Sequence, residues 1–186
     1  MGIAGDSTSL SSSVEAPAEA EPPERLRLTV VEEDGDWSGF GPLEDAVQQA
    51  AAALANHRRL RLEAGSEASV VLGSDALVRR LNRTYRGKDA PTNVLSFPYQ
   101  KPPGAADDAG GYLGYVVLAA ETVRLEAAER GIEPGHHLQH LVVHGLLHLL
   151  GYDHQTDAEA EDMEDLETQI LATIGVADPH AAAAAP

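Results

Sequence analysis

The run His144-Gly145-Leu146-Leu147-His148-Leu149-Leu150-Gly151-Tyr152-Asp153-His154 sets three histidines at H-x3-H-x5-H. On a helix, His144 and His148 lie one turn apart and leave the same face. Gly151 follows His148 by three residues, where a helix commonly ends because glycine accepts the left-handed conformation. A reversal there can return His154 toward the first two. Three neutral imidazoles with a fourth position open to water form the ligand set of a catalytic zinc site, one ion per chain, rather than of a structural one.

The extended zinc-protease pattern H-E-x-x-H-x-x-G-x-x-H has the same spacing, position for position with one exception. The glutamate that takes a proton from metal-bound water in such a protease is replaced here by Gly145. The ligands are kept and the peptidase mechanism is not. A single histidine on an apolar helix face is commonly a packed core residue. Three, with a glycine at the turn and an acid beside the last, point to a metal. A straight helix spreads positions i, i+4 and i+8 apart, so His140 is read as a packing residue or a hydrogen-bond partner behind the ligands. Asp153 is read as a proton acceptor or, in preference, as a carboxylate that fixes a histidine tautomer.

The elements that must position these groups follow from periodicity and turn chemistry. Arg25–Glu33 alternates around Leu26, Leu28 and Val30 as a first strand, and Pro42–His57 has helical spacing with proline at its start. Glu67–Leu72 reads as a second strand, and Ser74 as the N-cap of a helix from Asp75 to about Thr84. Tyr85 to Thr92 reads as a loop, Asn93–Phe97 as a short strand, Lys101–Gly111 as a loop and Tyr112–Leu118 as a fourth strand. Helices are expected over Ala119–Arg130, Pro134–Leu150 and about Asp157–Ile174, the last opened by a capping box of Thr156 and Glu159. Four strands and about five helices in this order predict an α+β fold: a small mixed sheet packed with helices, the zinc site lying on a late helix and the turn after it.

The 186 residues suit one domain with tails. Residues 1–24, rich in Ser, Ala, Glu and Pro, read as a disordered acidic tail, 25–177 as the folded domain, and 178–186 as a C-terminal tail that frays. With no cysteine, thiolate ligands, disulfides and cysteine nucleophiles are excluded. No apolar run approaches the about 20 residues of a membrane span, and the N-terminus lacks a signal peptide's basic start and apolar core. A soluble, cytoplasmic protein is therefore expected. The net charge of −17 would repel nucleic acid if it were evenly spread, but residues 1–24 and 153–186 hold 14 acids and no Lys or Arg. All 13 basic residues lie between them, so the total charge does not rule out a polyanionic partner.

Arg79, Arg80, Arg83, Arg86 and Lys88 cluster with no acid among them. Arg79 and Arg80 read as a solvated helix face. Arg86 and Lys88 are placed on a loop that feeds a strand, where functional groups concentrate. An arginine there clamps phosphate bidentately and a lysine acts as a point charge. Arg58, Arg59 and Arg61 add basic charge elsewhere. A metal cage with a phosphate clamp is the equipment of phosphodiester hydrolysis.

His144–His154, together with Leu81-Asn82-Arg83-Thr84-Tyr85-Arg86-Gly87-Lys88-Asp89-Ala90-Pro91-Thr92-Asn93-Val94-Leu95-Ser96-Phe97-Pro98, resembles the YbeY family of bacterial endoribonucleases. The likeness spans about Leu26 to Ile174 and includes the neighbourhood of Met163, Glu164 and Glu167. It departs at Leu113-Gly114-Tyr115, where the family usually has Asp in place of the tyrosine. The resemblance implies a single-strand-specific, metal-dependent RNase that matures ribosomal RNA, 16S rRNA included, and serves small-subunit quality control. It implies zinc on His144, His148 and His154 and Arg86 as the functional arginine, with Arg59, Arg83 and Lys88 as candidate RNA contacts. Partners would be single-stranded RNA and the ribosomal small subunit or its assembly factors, with no membrane. Two rivals are a ribosome-assembly factor whose metal is structural and another metal-dependent hydrolase. Gly145 argues against a peptidase.

Overall fold

The computed structural model describes residues 25–102 and 111–181. The expected N-terminal tail, most of the Lys101–Gly111 loop and residues 182–186 lie outside the described residues. Four strands, β1 (Leu26–Glu32), β2 (Ser66–Gly73), β3 (Val94–Pro98) and β4 (Tyr112–Ala119), form one sheet in the order β1-β2-β4-β3. β1, β2 and β4 run parallel, and β3 closes the edge antiparallel to β4. Five helices accompany them: α1 (Leu43–Ala55), α2 (Asp75–Arg86), α3 (Ala120–Arg130), α4 (Pro134–Leu149) and α5 (Asp157–Ala172). The α+β expectation holds, mixed sheet included.

Alternation along the strands divides the sheet into two faces. Leu28, Val70, Val116 and Leu118 point into the main core with Val47 and Leu54 of α1, Leu138 and Val142 of α4, and Leu166 and Ile170 of α5. On the other face Leu95 and Val117 meet Val78 of α2, with Leu77, Leu81 and Phe97 beside them. α4 sits at the centre, buried along most of its length, which is why its sequence is apolar nearly all round.

Local signals set the helix ends. The Ser74 hydroxyl accepts from Leu77 N–H at 3.2 Å, and Thr156 and Glu159 complete the capping box. Pro134 occupies the first turn of α4. One boundary differs in a way that matters. α2 continues through Arg86, where the sequence reading ended it near Thr84. Gly87 N–H bonds Arg83 C=O and Lys88 N–H bonds Asn82 C=O, while the buried Asn82 amide donates to Ala90 C=O at 2.8 Å. Arg86 thus projects from a helical turn and not from a loop. Asp178–Ala181, assigned by composition to the tail, lie against α5: Thr168 donates to Asp178 at 3.0 Å, and the His180 ring meets Glu167 at 2.7 Å.

Candidate metal centre

Position 145 of α4 faces the sheet. A Cβ on Gly145 would stand 2.5 and 3.0 Å from the Val116 methyls and 3.2 Å from Ser96 Oγ. Ser96 Oγ donates to the Gly145 carbonyl at 3.0 Å, tying α4 to β3. The place of the protease base is therefore pressed against β4, and only a residue without a side chain lets helix and strand approach this closely.

His144 and His148 instead leave α4 toward a surface cleft. Gly151, at φ 89°, turns the chain back, and Tyr152 N–H bonds Leu147 C=O at 3.0 Å. The His154 ring then lies 5.7 Å from that of His144 and 5.1 Å from that of His148, centre to centre. One donor atom from each of the three histidines falls within 4.8 Å of the others. His144 Nδ1 contacts Glu167 Oε1 at 2.7 Å, and His148 Nδ1 contacts Tyr152 C=O at 2.9 Å. A carboxylate and a carbonyl only accept, so both Nδ1 atoms carry the protons and both Nε2 atoms present lone pairs. Those two Nε2 atoms are 3.1 Å apart. Such lone pairs repel unless a proton or a cation lies between them. Tetrahedral zinc at its usual Zn–N length separates its nitrogens by about 3.3 Å. Donor chemistry and spacing both fit a transition metal. Burial, reinforced by the neighbouring His144 and His154, pushes the His148 pKa down and favours the neutral, ligating form.

Glu167 is the group that sequence reasoning left without a role. It is 1 % exposed, on the apolar stripe of α5 with Met163, Ile170 and Leu171. Its carboxylate meets His140 Nε2 at 3.1 Å and His180 Nε2 at 2.7 Å in addition to His144. Burial pushes its pKa up, but the hydrogen bonds from His140 and His144 outweigh that and hold it well below the usual carboxylate range. The signal was present in the sequence: an acid on an otherwise apolar stripe stays there only when paired. His140 lies one turn before His144 on α4, bonded to the same Glu167 carboxylate. Asp153 does not touch a histidine ring. Its carboxylate accepts from the His154 backbone N–H at 2.8 Å and from Gln155, bonds that lower its pKa, so it braces the turn and fixes no tautomer.

The cleft measures about 580 Å³ and brings Arg86 to the same walls as His144, His148 and His154, with Asn93, Ser96 and Asp153 between. Asn93 is held by Glu126, at 2.9 Å, and its own Oδ1 accepts from Val94 N–H. The other basic candidates lie elsewhere. Arg59 is engaged with Asp162 and Asp165 of α5, and Arg83 and Lys88 are exposed on α2 and just after it, outside the cleft lining. Arg79 forms a two-pronged pair with Asp89 at 2.8 and 3.0 Å.

The profile of the family described as Endoribonuclease YbeY matches residues 40–175. The chain belongs to the YbeY endoribonuclease family. It is 51 % identical to the Endoribonuclease YbeY of a Bradyrhizobium species over 148 residues, covering 78 % of this chain and 86 % of that one. Relatives of the same name from Parvibaculum lavamentivorans and Azorhizobium caulinodans are 45 % and 48 % identical, each over 84 % of this chain and over 86 % and 97 % of their own. A solution structure of a Thermotoga maritima protein aligns at 23 % identity with a TM-score of 0.49, over 84 % of this chain and 99 % of that one. The family assignment places the His cluster and Arg86 in one matched segment, and it leaves the peptidase reading without support. No helix among the described residues is long and apolar enough to cross a membrane.

Proposed function

We propose that the chain, a hydrolase acting on RNA by its family, is a cytoplasmic, single-strand-specific endoribonuclease. It holds one zinc ion on His144, His148 and His154 and cleaves precursors of ribosomal RNA, 16S rRNA among them, in contact with the small subunit or its assembly factors. The folded unit that does this begins near residue 25 and runs past 177, since Asp178 and His180 pack on α5. The observation that supports the reading most is the shared cleft: three histidine ring-nitrogen donors and an arginine with no acid bonded to it among the described residues.

Zinc, when bound, supplies Lewis acidity that brings the pKa of water toward neutrality. The chain's own groups do the rest. Glu167 and the Tyr152 carbonyl hold the Nδ1 protons of His144 and His148 and so aim the Nε2 lone pairs at the ion. Arg86 donates two parallel N–H groups to the non-bridging phosphate oxygens and stabilises the charge that grows on them. Asp153, kept ionised by the His154 N–H, is the one carboxylate among the described cleft residues and serves as proton acceptor from the attacking water.

The test joins elemental analysis of the purified chain to cleavage of a single-stranded RNA with and without chelator. One zinc per chain is expected, with cleavage lost on chelation and restored by zinc. Cleavage that persists in metal-free protein would overturn the reading.

A further inference from the structure

Among the described residues, the second face of the sheet is only half covered. α2 shields it over Leu95, Val117 and Ala119. Beyond the helix lies an open groove of about 720 Å³ whose walls include Val71, Tyr85, Phe97, Tyr99 and Tyr115. Among the described residues six large apolar side chains are exposed, and three of them are here: Tyr85 at 68 %, Tyr99 at 52 % and Tyr115 at 48 %. Chance scatter leaves such side chains singly over a surface. Here strand register gathers them, since Phe97 pairs directly with Tyr115 across β3 and β4 and shares its face.

The rings are held at fixed angles. Tyr85 stands edge-on to Phe97 at 5.1 Å and 63°. Tyr112 takes Tyr99 at 5.8 Å and Tyr115 at 5.3 Å, both edge-on, and its own hydroxyl is anchored on Ser69 at 2.8 Å. Edge-to-face contact uses one face or one edge of each ring and leaves an aromatic face for another partner. Little ordering entropy remains to be lost when that partner arrives.

The groove adjoins the histidine cleft across β3. Ser96 and Pro98 line both, so β3 is the shared wall, and Tyr85 on the groove side is followed by Arg86 on the cleft side. We propose that this aromatic groove is the single-strand binding platform of the enzyme, where bases next to the scissile phosphate stack on Tyr85, Tyr99 and Tyr115. The proposal rests on the RNA reading of the cleft and adds the part of the substrate that the cleft does not hold. Every base has a π-face, so stacking of this kind is tolerant of sequence. It requires unstacked bases, which a duplex does not offer, so the groove selects single strands.

The test uses the full-length, zinc-loaded chain and a labelled single-stranded RNA, with the matching duplex as control. Steady-state cleavage and fluorescence anisotropy are read for wild type, Tyr99→Ala and Tyr115→Ala, and for the Phe and Leu replacements at both positions. Each Ala variant is expected to weaken binding by about five-fold or more, the loss falling on KM. The Phe variants keep wild-type affinity because the ring is retained, and the Leu variants group with Ala because apolar bulk without a π-face does not stack. The salt slope stays as in wild type, since no phosphate contact is removed. Unchanged affinity in both Ala variants would overturn the proposal, and so would Phe variants that fall as far as Ala. A change in sedimentation coefficient with RNA affinity intact would mark the groove as a protein interface, which also overturns it. Wild type that fails to cleave RNA refutes the function proposed for the cleft. The anisotropy comparison still reports on the groove alone.

Discussion

Replacing Glu167 with glutamine keeps the volume at the centre of the histidine network and removes its charge. The carboxylate is 1 % exposed and meets three imidazoles, His140 at 3.1 Å and His144 and His180 at 2.7 Å each. An amide offers one accepting oxygen and turns its NH2 donors toward ring N–H groups that also donate. His140 and His180 must then change tautomer to accept from the NH2 group, or lose their bonds, and the charge that holds the His144 Nδ1 proton is gone. Partners of this kind, bonded to a metal-ligating histidine, are worth about 10–100-fold in metal affinity, or about 1.4–2.7 kcal/mol. A second effect follows without metal. Hydrogen bonds to a charged group contribute about 1.5–3 kcal/mol, so the chelated variant melts lower than chelated wild type. Zinc affinity is measured by competition with a chromophoric chelator, and stability by thermal denaturation of the metal-free protein. A Glu167→Gln variant with wild-type zinc affinity but a lower melting temperature would show that Glu167 only holds α5 to α4. Glu167 would then not set the His144 tautomer.

Arg86→Ala should lose about 10²–10³ in single-turnover cleavage at saturating enzyme with zinc content intact, and Arg86→Lys should recover only part of it. An unchanged saturated rate would remove Arg86 from the chemistry. Gly145→Ala forces a methyl group to 2.5 Å from a Val116 methyl, and overpacking of this order costs about 1–3 kcal/mol, read as a drop of about 2–4 °C in melting temperature per kcal/mol. A variant melting like wild type would mean that α4 can lift from β4 freely. In metal-free protein, burial lowers the pKa values of His137 and His148 from the ordinary 6.5. The unfolded chain therefore binds these protons first, and stability, complete above pH 6.5, declines as pH falls below it. A melting temperature constant from pH 7.5 to 5 would contradict this. Deleting residues 1–24 should leave the melting temperature nearly unchanged, since their composition lacks the apolar content to join a core; a large drop would show that the tail docks.

What could be read from the sequence was local. The caps of α2 and α5, the proline of α4 and the strand alternation are each decided within a few residues, and so is the H-x3-H-x5-H spacing with Gly151 at the turn. The misplaced features depend on contacts across the fold. The turn residues of Tyr85–Thr92 point to a loop at Arg86. The last turn of α2 is instead held by the Asn82 side chain reaching Ala90 and by the backbone closure at Gly87. Asp153 was expected to orient a histidine because it adjoins His154, yet adjacency let it cap the turn instead. Glu167 stands 23 residues from His144, and only the packing of α5 on α4 brings them together.

That packing also accounts for the way α4 divides its neighbouring positions between two tasks. His144 and His148 lie one turn apart and face the cleft, while Gly145, next to His144, is closed against Val116 and Ser96. A glutamate at 145 would have to displace β4 before it could approach the cleft, so the protease spacing cannot be completed by one substitution. A carboxylate in the cleft has to come from another element, and the turn after α4 places Asp153 in its wall. The same turn supplies His154 and the Tyr152 carbonyl that fixes His148. Moving the carboxylate from helix to turn thus leaves α4 free to press on the sheet, and β3, held to α4 through Ser96, becomes the wall that separates the metal cleft from the aromatic groove.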